Sequence, residues 1–296
     1  MNYLDIYTSF LRYQIKLSKP LKAVFDASNG ATGSILRKTF DGITNLTPYY
    51  INNTVDSEFP AHGPNPSLEG ATKQAEEKVL ETKSDFGVVY DADGDRAIFI
   101  DNMGKTTPSY VIAALLYRHA EAPYIADETV YDALNYIGIF KNNEVLPSKV
   151  GFVYVREQMK KHGASVGAEL SGHYSFKDFF YCDGAIFATI KIMNALEIIG
   201  SIQSFAKKLS TMELSTRNIE TGNIEWTVLD RAIRNAFTIS KPRITTRDGL
   251  TLTLPEGWVN IRPSNSEPLV RVVAGAPKKS QSSALVEKIH AIIQSA

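Results

Sequence analysis

The sequence predicts an α/β protein in which two consecutive mixed α/β domains are followed by a smaller α+β C-terminal domain. Three observations predict it. The apolar run "LKAVFD" stops at Asp26 and passes through the glycine-rich "ASNGATG" into the helix-like "SILRKTF", the strand, turn, helix order of an α/β layer. A second layer carries a long apolar pattern, "AIFATIKIMNALEIIG", that reads as a buried helix. After about residue 210 the alternation gives way to strands followed by one helix, which is the order of an α+β domain. The expected partition is 1–18 as a linker helix, 19–107, 108–210 and 211–296.

Each element follows in order. Tyr3, Leu4, Tyr7, Phe10 and Leu11 recur at helical spacing, and Ser18-Lys19-Pro20 breaks that helix. After the first strand, turn and helix, the three prolines of "FPAHGPNPSLEG" forbid regular structure. Ala71, Ala75 and Val79 then mark one face of a helix in "ATKQAEEKVLETK". "FGVVYD" and "RAIFID" are short strands around an acidic loop. The second layer opens with the helical "SYVIAALLYRHA" and holds a polar loop, "VGAELSGHYSFKDFFYCDG", before its buried helix. The third has the strand-rich segment from Arg243 to Ala276 and an amphipathic helix through Leu285, Ile289 and Ile292.

Composition narrows the function classes. The 32 basic and 32 acidic residues leave no net field to recruit nucleic acid or an anionic membrane, so anions must be met by local clusters. The longest apolar runs fall far short of the ~20 residues of a membrane span, and the start lacks the basic-then-apolar order of a secretory signal. A single cysteine, Cys182, excludes an internal disulfide framework. The expected location is cytoplasmic.

Three polar clusters stand out. "DADGDR" puts Asp91, Asp93 and Asp95 at alternate positions with Arg96 next to them. Like charges this close need a cation, and oxygen ligands without His or Cys point to Mg²⁺ or a similar hard ion. A solvated turn is the plain alternative, but a turn does not need three acids between two apolar strands. An EF-hand fits poorly, because Arg96 and Asn102 stand where its loop wants Gly and Glu. A sharper rival is an aspartate-nucleophile phosphatase, in which Asp91 attacks phosphorus and Asp93 is the acid or base; no later Gly-Asp-x-x-x-Asp segment completes that site.

In "GAELSGH", Glu169, Ser171 and His173 alternate, and an extended chain would turn all three to one side, a set of groups suited to a polyol. Taken alone, this composition reads first as an ordinary polar surface loop. "RPSNSEP" offers Arg262, Ser264, Asn265 and Ser266 between prolines, with Arg271 on the next strand, a set that can hold an oxyanion or simply form an Asn/Ser turn.

A metal loop, a polyol loop and an anion loop in this order resemble the α-D-phosphohexomutase family, the phosphomannomutases and phosphoglucomutases. "DASNGATG", "FPAHGPNP" and "DGLTLTLPEGWVNIRPSNSEP" match as well, so the resemblance covers nearly the whole chain. It implies domains of phosphohexomutase type within a four-domain enzyme that interconverts hexose 1-phosphate and 6-phosphate, of mannose, glucose or both. A phosphoserine exchanges its phosphoryl group with the sugar through a hexose 1,6-bisphosphate, the activator. By the same resemblance Asp91, Asp93 and Asp95 hold Mg²⁺, and Arg96 lies beside the transferring phosphoryl group. Glu169 and Ser171 bind the sugar's 3- and 4-hydroxyls with His173 nearby, while Arg262, Ser264, Asn265, Ser266 and Arg271 grip the other phosphate. The loop looks less like that of the glucosamine-phosphate branch.

One part of the family pattern has no counterpart. Its serine lies in a motif like Thr-Ala-Ser-His-Asn-Pro, and no such segment occurs here; Ser28 and Ser266 already belong to other motifs. The family's basic residue near the start of the third domain is also without a clear match, since Asp127 and Glu128 stand there and Arg156 is the substitute at hand. The resemblance therefore implies a chain lacking the N-terminal phosphoserine domain and inactive alone. It is then a fragment of a longer mutase, a partner of a separate serine-domain polypeptide, or a sugar-phosphate-binding homologue without turnover.

Overall fold

The computed structural model describes residues 2–141, 143–210, 212–222, 224–264 and 267–295. The chain forms two compact units, one of residues 1–126, 143–146 and 151–208, the other of 127–142, 147–150 and 209–296.

The first unit opens with helix α1 (Tyr3–Tyr13), capped by the Asn2 side chain on the Leu4 N–H at 3.1 Å and burying Thr8 and Leu11. Strand β1 (Leu21–Asp26) leads through the glycine turn to α2 (Gly33–Phe40), then to β2 (Leu46–Ile51), α3 (Lys73–Thr82), β3 (Phe86–Tyr90) and β4 (Ala97–Ile100). These strands make one sheet in the order β2-β1-β3-β4, with β1 parallel to both neighbours and β3–β4 an antiparallel hairpin. All residues of β3 and β4 are buried, so both strands read as continuous apolar runs and not as alternations. Ala75 and Val79 of α3 pack on Val24, Val89 and Ile100.

Helix α4 (Ser109–Arg118) is followed by β5 (Tyr124–Asp127), α5 (Glu128–Ile137), β6 (Val145–Ser148) and α6 (Phe152–His162). Then come β7 (Val166–Ala168), β8 (Tyr174–Phe176), β9 (Cys182–Asp183), α7 (Ala185–Ile199) and α8 (Ile202–Ala206). The sheet order is β6-β5-β7-β8-β9. The expected buried helix is α7, with Phe187, Ile190, Ile192 and Met193 fully or almost fully buried. The segment expected to be a polar loop, 166–184, instead carries β7, β8 and β9. Runs of two or three residues are too short to show a period, and burial of Val166, Ala168, Tyr174 and Phe176 is what holds them in the sheet.

The second unit holds β10 (Glu213–Glu220), α9 (Trp226–Ala236), β11 (Arg243–Thr245), β12 (Leu250–Leu254), β13 (Gly257–Pro263), β14 (Leu269–Ala276) and α10 (Lys279–Ser295). Its sheet, β10-β14-β13-β12-β11, is antiparallel throughout. One face packs on α9 and α10 through Leu229, Ile233, Leu285, Ile289 and Ile293; each such side chain contributes about 1.5–3 kcal/mol when fully buried. Ile293 takes the fully buried place in the last turn, and Ile292 is only partly buried.

Candidate functional site

The loop 91–96 joins β3 to β4, with Tyr90 opposite Ala97. Asp91 is buried and organises it: Oδ1 accepts the N–H groups of Gly94, Asp95 and Arg96 at 2.9, 3.1 and 3.1 Å. Its Oδ2 accepts Arg96 Nε at 2.7 Å, and Arg96 Nη1 donates to Asn65 Oδ1 at 3.2 Å. The two glycine- and proline-rich segments support this loop from behind. Ala31 N–H donates to Ala92 O at 2.7 Å and Ala92 N–H to Pro64 O at 3.1 Å. A Cβ on Gly30 would lie 2.4 Å from Ala92 O, so only glycine lets the β1–α2 turn come this close. Asp26, fully buried, ties the same region together through Asn52 and through His62 Nε2 at 3.2 Å.

Across from this loop lies the turn between β7 and β8. Glu169 N–H donates to His173 O at 3.0 Å and Gly172 N–H to Glu169 O at 3.1 Å. The segment is therefore a tight hairpin turn with Gly172 at φ +94, not the extended stretch whose alternation would have aligned Glu169, Ser171 and His173. A closing hydrogen bond between the ends of the turn outweighs extension here. Ser171 Oγ and His173 Nδ1 still meet at 2.8 Å, while Glu169, buried, accepts the Gly151 N–H at 2.9 Å.

The two loops are joined within the first unit. Ala97 N–H donates to Gly172 O at 3.0 Å, the backbones of Arg96 and His173 pair in an isolated antiparallel β-bridge, and His173 Nε2 lies 3.4 Å from Asp95 Oδ1. The start of α7 also reaches the loop, where Ala185 N–H donates to Gly94 O at 3.2 Å.

The second unit holds the third cluster. Arg262 on β13 and Arg271 on β14 are register partners. Like charges opposite each other across strands repel unless an anion or a carboxylate lies between them. Arg262 Nε pairs with Asp248 Oδ2 at 3.4 Å, and the more exposed Arg271 with Glu267 at 3.7 Å. Ser264 N–H donates to Leu269 O at 2.8 Å. Asn265 and Ser266 lie outside the described residues.

Family models match the chain from end to end: phosphoglucomutase/phosphomannomutase alpha/beta/alpha domain II over residues 2–104, domain III over 110–213, and the C-terminal domain over 220–292. The chain belongs to the phosphoglucomutase/phosphomannomutase family. It is 28% identical over 268 residues to a phosphomannomutase of Escherichia coli, covering 86% of this chain and 58% of that one. It is 28% identical over 296 residues to a phosphoglucosamine mutase of Limosilactobacillus fermentum, covering 96% and 62%. A crystal structure of a phosphoglucomutase/phosphomannomutase family protein from Burkholderia thailandensis matches with TM-score 0.83 at 22% identity, covering 99% of this chain and 64% of the other. The chain thus spans less than two thirds of the length of these relatives.

In this phosphohexomutase-family chain the acidic loop is electrostatically divided. Burial, with the hydrogen bond to Asp95, pushes the Asp91 carboxyl up to about 6 against the opposing pull of Arg96. Asp95 is pulled down to about 2, first by its hydrogen bond to His173 and against its own burial. Burial also pushes the His173 imidazole down, but Asp95, Glu169 and Asp183 together outweigh it and leave the ring above its ordinary value. Carboxylate oxygens of Asp91, Asp93 and Asp95 lie within 4.8 Å of one another. Three such hard donors at that spacing fit a Mg²⁺ ion, whose ligands are oxygens at about 2.1 Å in an octahedron.

Asp183 and Asn65 escaped sequence reasoning. Asp183 lies with Asp95 and His173 in a second group of donor atoms within 4.8 Å; burial pushes its carboxyl above the ordinary value, opposed by His173 and more weakly by Arg156 on α6. Asn65 lies inside the matched segment "FPAHGPNP", while Asp183 lies at the end of the polar loop "VGAELSGHYSFKDFFYCDG" and carried no signal of its own. The acidic residues at the start of the third domain have a structural explanation. Fully buried Glu128 accepts Thr245 Oγ1 at 3.0 Å and pairs with Arg247, so that it ties α5 to the β11–β12 turn.

Proposed function

We propose that this chain supplies the metal-, sugar- and phosphate-binding parts of a phosphohexomutase that interconverts hexose 1-phosphate and 6-phosphate, with mannose or glucose as the sugar. The domains are divided near residues 107 and 210, and the chain works in the cytoplasm without nucleic acid or membrane. One observation carries the reading: Asp95 stands between Arg96 and His173, so the acidic loop and the sugar turn make one constellation.

Asp91, Asp93 and Asp95 would hold Mg²⁺, which supplies Lewis-acid polarisation of a phosphoryl oxygen. Arg96 is pinned through Nε by Asp91 and through Nη1 by Asn65, a preorganised cation for charge developing on a transferring phosphoryl group. His173 is oriented at Nδ1 by Ser171 and at Nε2 by Asp95, and so can hold or release a proton beside a sugar hydroxyl. Glu169 would accept hydroxyls of the sugar. Arg262 and Arg271, with Ser264, would take the distal phosphate, and hexose 1,6-bisphosphate would be the activator. No segment like Thr-Ala-Ser-His-Asn-Pro occurs in these 296 residues, so in this reading the phosphoryl-donating serine would be supplied from elsewhere.

An aspartate-nucleophile phosphatase is disfavoured because no Gly-Asp-x-x-x-Asp segment follows the acidic loop to complete its metal site.

The test is an assay of the purified chain with mannose 1-phosphate or glucose 1-phosphate, Mg²⁺ and the bisphosphate. No turnover is expected from the chain alone, and 6-phosphate should form when a phosphorylated serine domain of the family is added. Robust turnover by the chain alone overturns the placement of the serine. Release of inorganic phosphate that disappears in Asp91→Asn would revive the phosphatase.

A further inference from the structure

We infer that Asp248 is a positioning residue for Arg262: it holds Nε of the guanidinium and so leaves both terminal nitrogens for the oxygens of a sugar phosphate. The inference rests on the phosphohexomutase reading, and it assigns a purpose to the Asp-Gly pair that opens "DGLTLTLPEGW".

The carboxylate is held from several directions. Asp248 Oδ2 accepts the Val150 N–H at 3.1 Å and lies 3.4 Å from Arg262 Nε. The Asp248 carbonyl accepts Nδ2 of Asn260, a buried side chain that also bonds Thr251 Oγ1 at 2.9 Å. The next residue, Gly249, sits at φ +72, and a Cβ there would be 2.3 Å from Ile261 O. Its backbone is therefore pressed against β13 immediately before Arg262, in a conformation that glycine alone adopts without strain. The neighbouring Arg247 and Thr245 are fastened to Glu128. The β11–β12 turn that carries the carboxylate is thus tied to β13 through Asn260 and to α5 through Glu128.

Arg262 without this partner would be a flexible side chain opposite another arginine. A guanidinium has one edge at Nε and another at its two terminal nitrogens, and bidentate binding of an anion needs the fork fixed in plane. Both ionic side chains are largely buried, with 17% and 13% of their surfaces exposed, so the pair is only weakly screened. The opposing possibility is that Asp248 merely neutralises Arg262 and competes with phosphate for it. The two differ in sign, because removal of a competitor tightens binding and removal of a positioning group weakens it.

The experiment is calorimetric titration of the full chain with glucose 1-phosphate, comparing Arg262→Ala, Asp248→Asn and the double variant. Asn at 248 keeps an acceptor for the Val150 N–H and removes the charge. Asp248→Asn should weaken binding about tenfold, the equivalent of one well-placed charge-assisted bond, and should add nothing in the Arg262→Ala background. Unchanged or tighter binding, or a loss that adds to that of Arg262→Ala, overturns the inference. If Arg262→Ala itself leaves binding intact, the phosphate-loop reading falls, and the inference with it. A measurement on the unaltered chain is independent of how the variants fold: the Arg262 Nε–H resonance, assigned by its loss in Arg262→Lys, should be protected from solvent exchange. An unprotected proton overturns the inference.

Discussion

Asp91 shows how one residue converts sequence chemistry into geometry. Its four accepted hydrogen bonds fix the loop and leave Asp93 exposed and Asp95 half-buried in front of it. Close support from behind predicts that Gly30→Ala, which puts a methyl group 2.4 Å from Ala92 O, displaces the loop. Its Mg²⁺ affinity by calorimetry should fall at least about tenfold, of the order that misplaced metal support costs. A second residue-scale prediction concerns Asp132, whose carboxyl is pushed up to about 8 by burial and then by Glu128. The folded chain keeps this proton where the unfolded chain has lost it, above about pH 4. The unfolded state then binds fewer protons, so this group lowers stability as pH rises from about 4 to 8, by at most about 1.4 kcal/mol per pH unit. Asp132→Asn should therefore melt higher than the parent at pH 8 and lose that advantage at pH 4, which thermal unfolding at the two pH values checks. Neither effect is legible in sequence, because a close approach and a desolvated carboxyl are properties of neighbours distant along the chain.

At the scale of elements, periodicity was readable wherever an element was long or apolar enough to show it. Helices α1, α3, α4, α7 and α10 and strands β1, β3 and β4 all carry such a signal. The strands β7, β8 and β9, of two or three residues, carry none, and their pairing depends on partners in the sheet. Burial decides energetics in the same way. Ile289→Ala on α10 removes a fully buried side chain from the core of the second unit and should cost about 2–5 kcal/mol. Ile198→Ala, at a side chain 76% exposed on α7, should change stability by no more than about 0.5 kcal/mol. Denaturant unfolding of the two variants tests the contrast.

At the scale of the whole molecule, the acidic loop predicts a linkage between metal and stability. A ligand that binds the folded chain alone stabilises it by about 2.7 kcal/mol at a hundred times its dissociation constant. Mg²⁺ should raise the melting temperature of the parent, chelation should reverse the rise, and Asp93→Asn should abolish most of it. An equal response in Asp93→Asn would remove this side chain from the metal site. Family membership extends over three matched domains, yet the chain spans only 58% of the phosphomannomutase and 62% of the phosphoglucosamine mutase it matches. Two relatives of equal identity named for different sugars leave the choice of sugar to the assay.

The sequence by itself determined the fold class, the family and the identity of the polar loops. Spacing, turn residues and short motifs are local, and "DADGDR", "GAELSGH" and "RPSNSEP" can be read without coordinates. Only the tertiary structure decided that Asp95 meets His173, that Asp183 joins them, that Glu169 lies in a closed turn, and that Asp248 holds Arg262. Each of these pairings crosses between elements, and its distance is set by how buried strands and turns pack, a quantity that no local pattern carries.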